Sequence, residues 1–298
     1  MLLRLTLLLV LFFALNAASF PHDVSQSGKV KAVYVSGNYY VLQGGGVNVG
    51  VSVGGDGILI VDDHYASLTD DVRAALKELG SDTPEFILNT HLHGDHTGGN
   101  ESFGVTSHII AHKNVRKRLA AQTREWDTTL PPMPEIGLPV ITFEEGLSFH
   151  FNGEEIKVIH FPEGHTDGDA IVHFTKSNVL HLSDQYFQGR FPFIDLENGG
   201  NVSNYAENLS KIIDMMPDDV VIIPGHGNVS NIEELKEFHN MLIETITIVW
   251  NQMSRHLSLE DIIKRGLPKK YKKWSWGFVP EKRWITTVYD SYKELVGQ

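Results

Sequence analysis

The segment Thr90-His91-Leu92-His93-Gly94-Asp95-His96-Thr97-Gly98-Gly99 holds four potential metal ligands within six residues, directly after the apolar run Phe86–Asn89. On an extended segment, side chains two apart share a side, so His91 and His93 face one point. A turn at Gly94 lets Asp95 and His96 face a second point close by. Imidazole and carboxylate without sulfur suit Zn²⁺, and less often Fe or Mn. A solvated polar loop explains any one of these residues; for the cluster, a metal site is the better reading. Three later segments add one donor each: His165 in a glycine-rich turn, Asp184 after the apolar pair Val179-Leu180, and His226 between Gly225 and Gly227. Flanking glycines give His226 access to unusual backbone dihedrals. Each of the three alone is weak evidence, because a lone His in a turn is usually polar surface.

HxHxDH followed by a His, an Asp and a His at growing distances resembles the metallo-β-lactamase superfamily, from about Lys29 to His226. The resemblance implies an α/β fold of α+β type: a four-layer αββα sandwich of two mixed sheets, with helices on both outer faces. It implies two zinc ions per chain at the sheet edges. One takes His91, His93 and His165, the other takes Asp95, His96 and His226, and Asp184 bridges them. Such a pair, about 3.5–4 Å apart, makes a hydroxide from water near neutral pH and stabilises the developing oxyanion. Asp95 then has a catalytic role as well, orienting the nucleophile or relaying a proton to the leaving group. Asp62 or Asp63, at a strand end, is a candidate acceptor for a ligand imidazole N–H, or a turn residue before a helix.

The expected function is a metal-dependent, di-zinc hydrolase, exported, acting on an ester, thioester, lactone or similar small molecule. His93 stands where flavin-linked di-iron relatives carry Glu, which favours a hydrolase over a reductase; a mono-iron sulfur dioxygenase shares the His/Asp set. A β-lactamase is the first alternative, and a metal-binding accessory protein without useful turnover the second. Two departures count against an efficient β-lactamase. The cysteine-containing subclass needs a thiolate where Asp184 stands, and it often carries a Lys where this chain has Phe187. Asp184 instead looks like the bridging Asp of glyoxalase-II-type thioesterases, lactonases and alkylsulfatases. Candidate substrate walls are the Gly44–Gly46 hairpin, the Trp126 to Pro139 loop and Tyr186-Phe187. Trp274, Trp276 and Phe278 read as a terminal helix packed on the core.

The elements that must position these groups follow from the pattern. Lys29–Val35, Tyr39–Gln43, Val47–Val53 and Gly57–Asp62 read as an antiparallel meander separated by Gly or Asn turns. Helical spacing of Leu68, Val72, Ala75, Leu76 and Leu79 predicts a helix that stops at Gly80. Strands are expected at Ser107–Ala111, Val140–Phe143, Leu147–Phe151, Ile156–His160, Ala170–Phe174, Val179–Ser183 and Val220–Pro224. Helices are expected at Asn114–Gln122 and Val202–Met215, with a mostly helical C-terminal extension from about 231. Arg4, the apolar run Leu5–Leu15 and the small residues Ala17–Ser19 describe a signal peptide over residues 1–19. The run falls short of the roughly 20 residues that span a bilayer, so no stable membrane insertion is expected after cleavage. The reading is therefore a secreted or periplasmic protein with one hydrolase domain over residues 20–298. Among its 298 residues there is no cysteine, which excludes disulfides, cysteine nucleophiles and thiolate metal sites. A net charge of −12 argues against nucleic acid as a partner.

Overall fold

Strands β1 (Lys31–Ser36), β2 (Tyr39–Gly44), β3 (Val47–Gly54) and β4 (Gly57–Val61) form the expected meander, each antiparallel to the one before. In the same sheet follow β5 (Phe86–Asn89), β6 (His108–His112) and, beyond the hairpin of β7 (Thr123–Glu125) and β8 (Thr128–Leu130), β9 (Ile141–Phe143). These join the meander as parallel neighbours. A second sheet runs in chain order through β10 (Gly146–Phe151), β11 (Glu154–His160), β12 (Ala170–Phe174), β13 (Val179–Phe187), β14 (Val221–His226) and β15 (Ser230–Asn231). Only its β13–β14 pair is parallel. The computed structural model describes residues 30–125 and 128–296; the signal peptide and Trp126 lie outside them.

Side chains of successive residues on a strand point to opposite faces, and here both faces are apolar. Leu59, Val61, Leu88 and Ile110 pack inward with Ile156, Val158, Val172 and Ile223 of the second sheet. Their neighbours Ile58, Ile60, Ile87 and Ile109 pack outward on Val72, Ala75 and Leu76 of α1 (Thr69–Glu78). α2 (Gly94–Thr97) follows β5 in the chain, Phe103 of α3 (Asn100–Phe103) joins that packing, and Val115 and Leu119 of α4 (Lys113–Leu119) pack with Ala111 of β6. The far face of the second sheet, with Leu180, Leu182 and Ile222, packs on α5 (Val202–Met215), α6 (Ile232–Met253), α7 (Leu259–Arg265) and α8 (Glu281–Val296). Asparagines start two of these helices: Asn201 accepts from Ser203 and Asn204 N–H, and Asn231 from Glu234 N–H. The architecture is helix–sheet–sheet–helix, the αββα sandwich the resemblance implies.

Most strands lie within two residues of their expected bounds, and β13 departs furthest. β13 runs past Ser183 to Phe187, its register against β14 slipping between His181 and Ser183 and again before Phe187. Ser183 takes the left-handed φ of 47°, a bulge that re-aims the next side chain. Asp184 is thereby carried within a buried strand rather than at its end. The continuous β14 partner and burial on both faces hold the extension.

At the ends of β6 and β11, the His112 and His160 rings stack at 3.8 Å and 10°, linking the two sheets. Burial, then the neighbouring His160 and Lys113, lowers the His112 pKa to about 4. A histidine with a depressed folded pKa contributes stability above its ordinary pKa and loses it as pH falls through the folded one. His112 Nδ1 also accepts from Asn114 N–H, a capping role that Asn can keep. The melting-temperature gap between the wild type and His112→Asn is therefore expected to be constant above pH ~6.5 and to shrink toward pH ~4. A gap that stays constant across that range would remove His112 as an acid-sensitive group.

Candidate metal centre

The donor loops meet where the parallel strands end: His91 just after β5, His226 closing β14, Asp184 within β13, and His165 between β11 and β12. His91, His93 and Asp184 are nearly inaccessible, as are His165 and His96. His91 Nε2 lies 3.1 Å from His93 Nδ1, and His165 Nε2 lies 2.9 Å from the same atom. Two nitrogen atoms that close cannot both carry hydrogens toward each other. Donors bound at about 2.0–2.1 Å around a tetrahedral zinc stand about 3.3 Å apart, so these three fit one ion.

Asp184 completes that group with Oδ2, 3.4 Å from His165 Nε2 and 3.9 Å from His91 Nε2. Its other oxygen, Oδ1, faces a second group, 3.3 Å from His96 Nε2 and 3.4 Å from His226 Nε2. Asp95 Oδ2 closes the second group at 3.6 Å from His96 Nε2 and 3.5 Å from His226 Nε2. His96 Nε2 and Asp184 Oδ1 are buried without a hydrogen-bond partner among the described residues. Such orphaned atoms are costly unless something outside the polypeptide satisfies them, and a cation fits both. All seven sequence-expected donors therefore converge, in groups of four and three that Asp184 joins.

The outer nitrogens fix which ring atom is free. His165 Nδ1 donates to Phe193 C=O at 2.7 Å, and His226 Nδ1 donates to Gly46 C=O at 2.8 Å. His96 Nδ1 meets Asp62 Oδ2 at 2.8 Å, and His93 Nε2 meets Asp195 Oδ2 at 2.9 Å. His91 Nδ1 lies 3.0 Å from Thr90 Oγ1. An N–H given outward leaves the inward nitrogen its lone pair, the arrangement that orients metal-binding histidines. Burial, followed by the adjacent imidazoles, holds His91 well below its ordinary pKa. Burial also takes His165 down to about 4, so both are neutral at pH 7. Burial works against charge on His93, yet the Asp195 hydrogen bond and nearby carboxylates bring it up to about 9. Asp184 sits well below the carboxylate range: the charge of the surrounding histidines, His226 foremost, outweighs its burial.

The choice the sequence left between Asp62 and Asp63 is resolved by partners. Asp62 accepts from Thr90 N–H, Thr90 hydroxyl and Ser183 hydroxyl besides His96. Among the described residues, Asp63 accepts only from Gly99 N–H, and its Oδ2 has no partner. The role given to Gly225 differs from expectation. Its need is space, because a Cβ there would lie 1.9 Å from Asp184 Oδ1, whereas Gly227 is the one with positive φ, 116°. Sequence reasoning missed Asp195 and Glu125, whose carboxylate accepts twice from Gly94 N–H. Their only sequence signals were an Asp before a turn and a Glu in a loop, and neither is specific. Trp274, Trp276 and Phe278 pack on the core as expected, but Trp276 and Phe278 precede the terminal helix α8 rather than lie on it. They also border the donors: the Trp276 ring stands 6.3 Å from His226, and Phe278 stands 5.2 Å from Phe193, which flanks His93 and His165.

The sequence model described as the Metallo-beta-lactamase superfamily matches residues 35–226, which contain every one of these donors. The chain belongs to the metallo-β-lactamase superfamily. Among relatives of this superfamily protein, a hydroxyacylglutathione hydrolase of Rhizobium meliloti (strain 1021) is 31% identical over 147 residues, 47% of this chain and 47% of that one. A metallo-beta-lactamase type 2 of Bacteroides fragilis is 22% identical over 251 residues, covering 79% of this chain and 93% of that one. The solved stereoselective inverting sec-alkylsulfatase from Pseudomonas sp. superposes with a TM-score of 0.68 at 15% identity, over 88% of this chain. The chain spans about half the length of that alkylsulfatase and of the Rhizobium relative.

Proposed function

We propose that the protein is an exported two-zinc hydrolase of a small ester, thioester or lactone. The observation that carries this reading is the division of Asp184, one oxygen per donor group. His91, His93 and His165 would hold one ion; Asp95, His96 and His226 would hold the other. Each set has three protein side chains of its own plus one oxygen of the shared Asp184 carboxylate, and zinc sites that do chemistry keep a further position for water or substrate. When bound, the ions supply Lewis acidity that polarises a carbonyl and draws the pKa of water toward about 7. Asp184 holds the two sets in one spacing. Asp95, whose Oδ2 lies between His96 and His226, orients the attacking oxygen and passes its proton to the leaving group. Asp195 and Asp62 keep His93 and His96 turned inward throughout. The relationship to a hydroxyacylglutathione hydrolase supports a thioester, and the apolar run Leu5–Leu15 with its small-residue cut site supports export.

A β-lactam is the second reading, favoured by the Bacteroides fragilis relative matched over 93% of its length. Against it, Phe187 occupies the place of the drug-gripping Lys and stacks on His226 at 5.1 Å and 12°. A panel of thioester, lactone, aryl ester, cephalosporin and sec-alkyl sulfate, run on the zinc-reconstituted protein with its metal content measured, tests these readings. About two zinc per chain, with chelator-sensitive turnover fastest on a thioester or lactone, is the expected result. Fastest turnover of the cephalosporin would transfer the assignment to β-lactamase. Full occupancy with no turnover of any substrate would leave a metal-binding accessory protein.

A further inference from the structure

The C-terminal segment beyond residue 226, outside the family-matched stretch, supplies part of the surface around the donor groups. Four aromatic rings run from one group to the other. Phe193 lies 5.8 Å from both His93 and His165; Phe278 lies 5.2 Å from Phe193; Trp276 lies 5.7 Å from Phe278; and Phe187 lies 6.2 Å from Trp276 and 5.1 Å from His226. Phe193, Trp276 and Phe278 remain half-buried, so this row keeps an accessible face. It is also held firmly. Trp276 Nε1 donates to Phe191 C=O at 2.9 Å, and Arg283 donates to Phe278 C=O at 2.9 Å while its guanidinium covers that ring at 4.1 Å.

Arg190 is different. Its guanidinium lies 5.2 Å from the Trp276 ring, and its side chain has no ion pair or hydrogen bond among the described residues. The side chain is half-buried, and burial works against its charge. A partly desolvated cation without a counter-charge costs free energy that an incoming anion would recover. Stacking on Trp276 offers partial relief only.

We propose that Trp276, Phe278, Phe193 and Arg190 form a specificity subsite for a flat, apolar group bearing a negative charge. The rings take the apolar body, and Arg190 takes the anion at its edge. The assignment to substrate selection rests on the hydrolase reading, whereas the binding property itself does not. In a hydrolase, the subsite would favour acyl or leaving groups that combine an aromatic or broad aliphatic surface with a carboxylate, phosphate or sulfate.

The test is calorimetric titration of the zinc-loaded protein with 2-naphthalenesulfonate and with the uncharged 2-naphthalenemethanol. The expected results are tighter binding of the sulfonate by the wild type and, for Arg190→Gln, a loss of about tenfold for the sulfonate only. Trp276→Ala should weaken both ligands by about tenfold or more. Circular dichroism and zinc content of each variant check that the fold and donors persist; Arg190→Gln keeps the test alive should Trp276→Ala fail to fold. Binding of neither ligand by the wild type, or equal affinities in the wild type and Arg190→Gln, would overturn the subsite. Failure of the whole turnover panel with this binding pattern intact would sink the hydrolase reading alone.

Discussion

On the two-zinc reading proposed above, Asp184→Ala is expected to lower turnover by about 10³-fold or more and to reduce the tightly held zinc toward one ion. The carboxylate is the one group whose two oxygens enter different donor sets, Oδ2 near His165 and Oδ1 near His96 and His226. Without it the sets lose both a ligand and the tether that fixes their spacing. Losing about 4 kcal/mol of charge stabilisation corresponds to about three powers of ten in rate. The His91, His93 and His165 set keeps three neutralisable imidazoles. The second set also keeps three side chains, but one of them, His226, is the most exposed of the seven donors, so the second ion is the one expected to weaken. Metal analysis after dialysis against a weak chelator, together with initial rates at saturating zinc, checks this. Two tightly held ions in Asp184→Ala would remove Asp184 from the bridging position. Gly225→Ala offers a subtler version, since its Cβ would collide with Asp184 Oδ1 while every ligand is retained.

The donors were legible because the chemistry of a metal site restricts residue type. Histidines and an aspartate at HxHxDH have few other reasons to cluster, and each later donor sits near an apolar strand that marks its place. The strands were legible for a similar reason: a layer covered on both faces writes continuous runs such as Gly57–Val61, and the period of two then sorts Leu59 from Ile60. What stayed hidden depends on contacts between distant segments. Asp195 is 102 positions from His93, and Trp276 is 50 from His226, so no local pattern records either pairing. The β13 bulge was missed because it arises from the register against β14, not from the residues at Ser183. Gly225 was assigned to the wrong property for the same reason: its neighbour in space, Asp184, cannot be read from its neighbours in sequence.

Asp62 and Asp63 allow the support of the metal centre to be separated from its ligands, because adjacent and equally buried carboxylates have different partners. Asp62→Ala removes the acceptor of His96 Nδ1–H, Thr90 N–H and Ser183 hydroxyl together. The expected loss is roughly 10–100-fold in zinc affinity, with about 3 kcal/mol or more of stability. Part of that stability loss comes from the backbone, since Asp62 has φ 65°, which Asp and Asn tolerate better than Ala. Asp62→Asn isolates the hydrogen-bond role. Its amide can keep an oxygen toward Thr90 N–H but turns an NH₂ toward His96 Nδ1–H. Donor then faces donor, and the ring is driven to carry its proton on Nε2, the atom aimed at the second donor set. Asp62→Asn is thus expected to lose nearly as much zinc affinity as Asp62→Ala while retaining most of its stability. Asp63→Ala deletes one hydrogen bond, to Gly99 N–H, and should cost about 1 kcal/mol with zinc affinity unchanged. Burial, and next to it the charge of Asp62, holds the Asp63 carboxyl well above its ordinary 3.8 despite the Gly99 bond. A carboxyl with a raised folded pKa contributes stability at low pH and loses it as pH climbs, so the deficit of Asp63→Ala should narrow toward neutrality. Zinc affinity by competition with a chromophoric chelator, and melting curves between pH 4 and 8, compare the three variants. Full zinc affinity in Asp62→Asn would show that His96 is oriented by something other than Asp62.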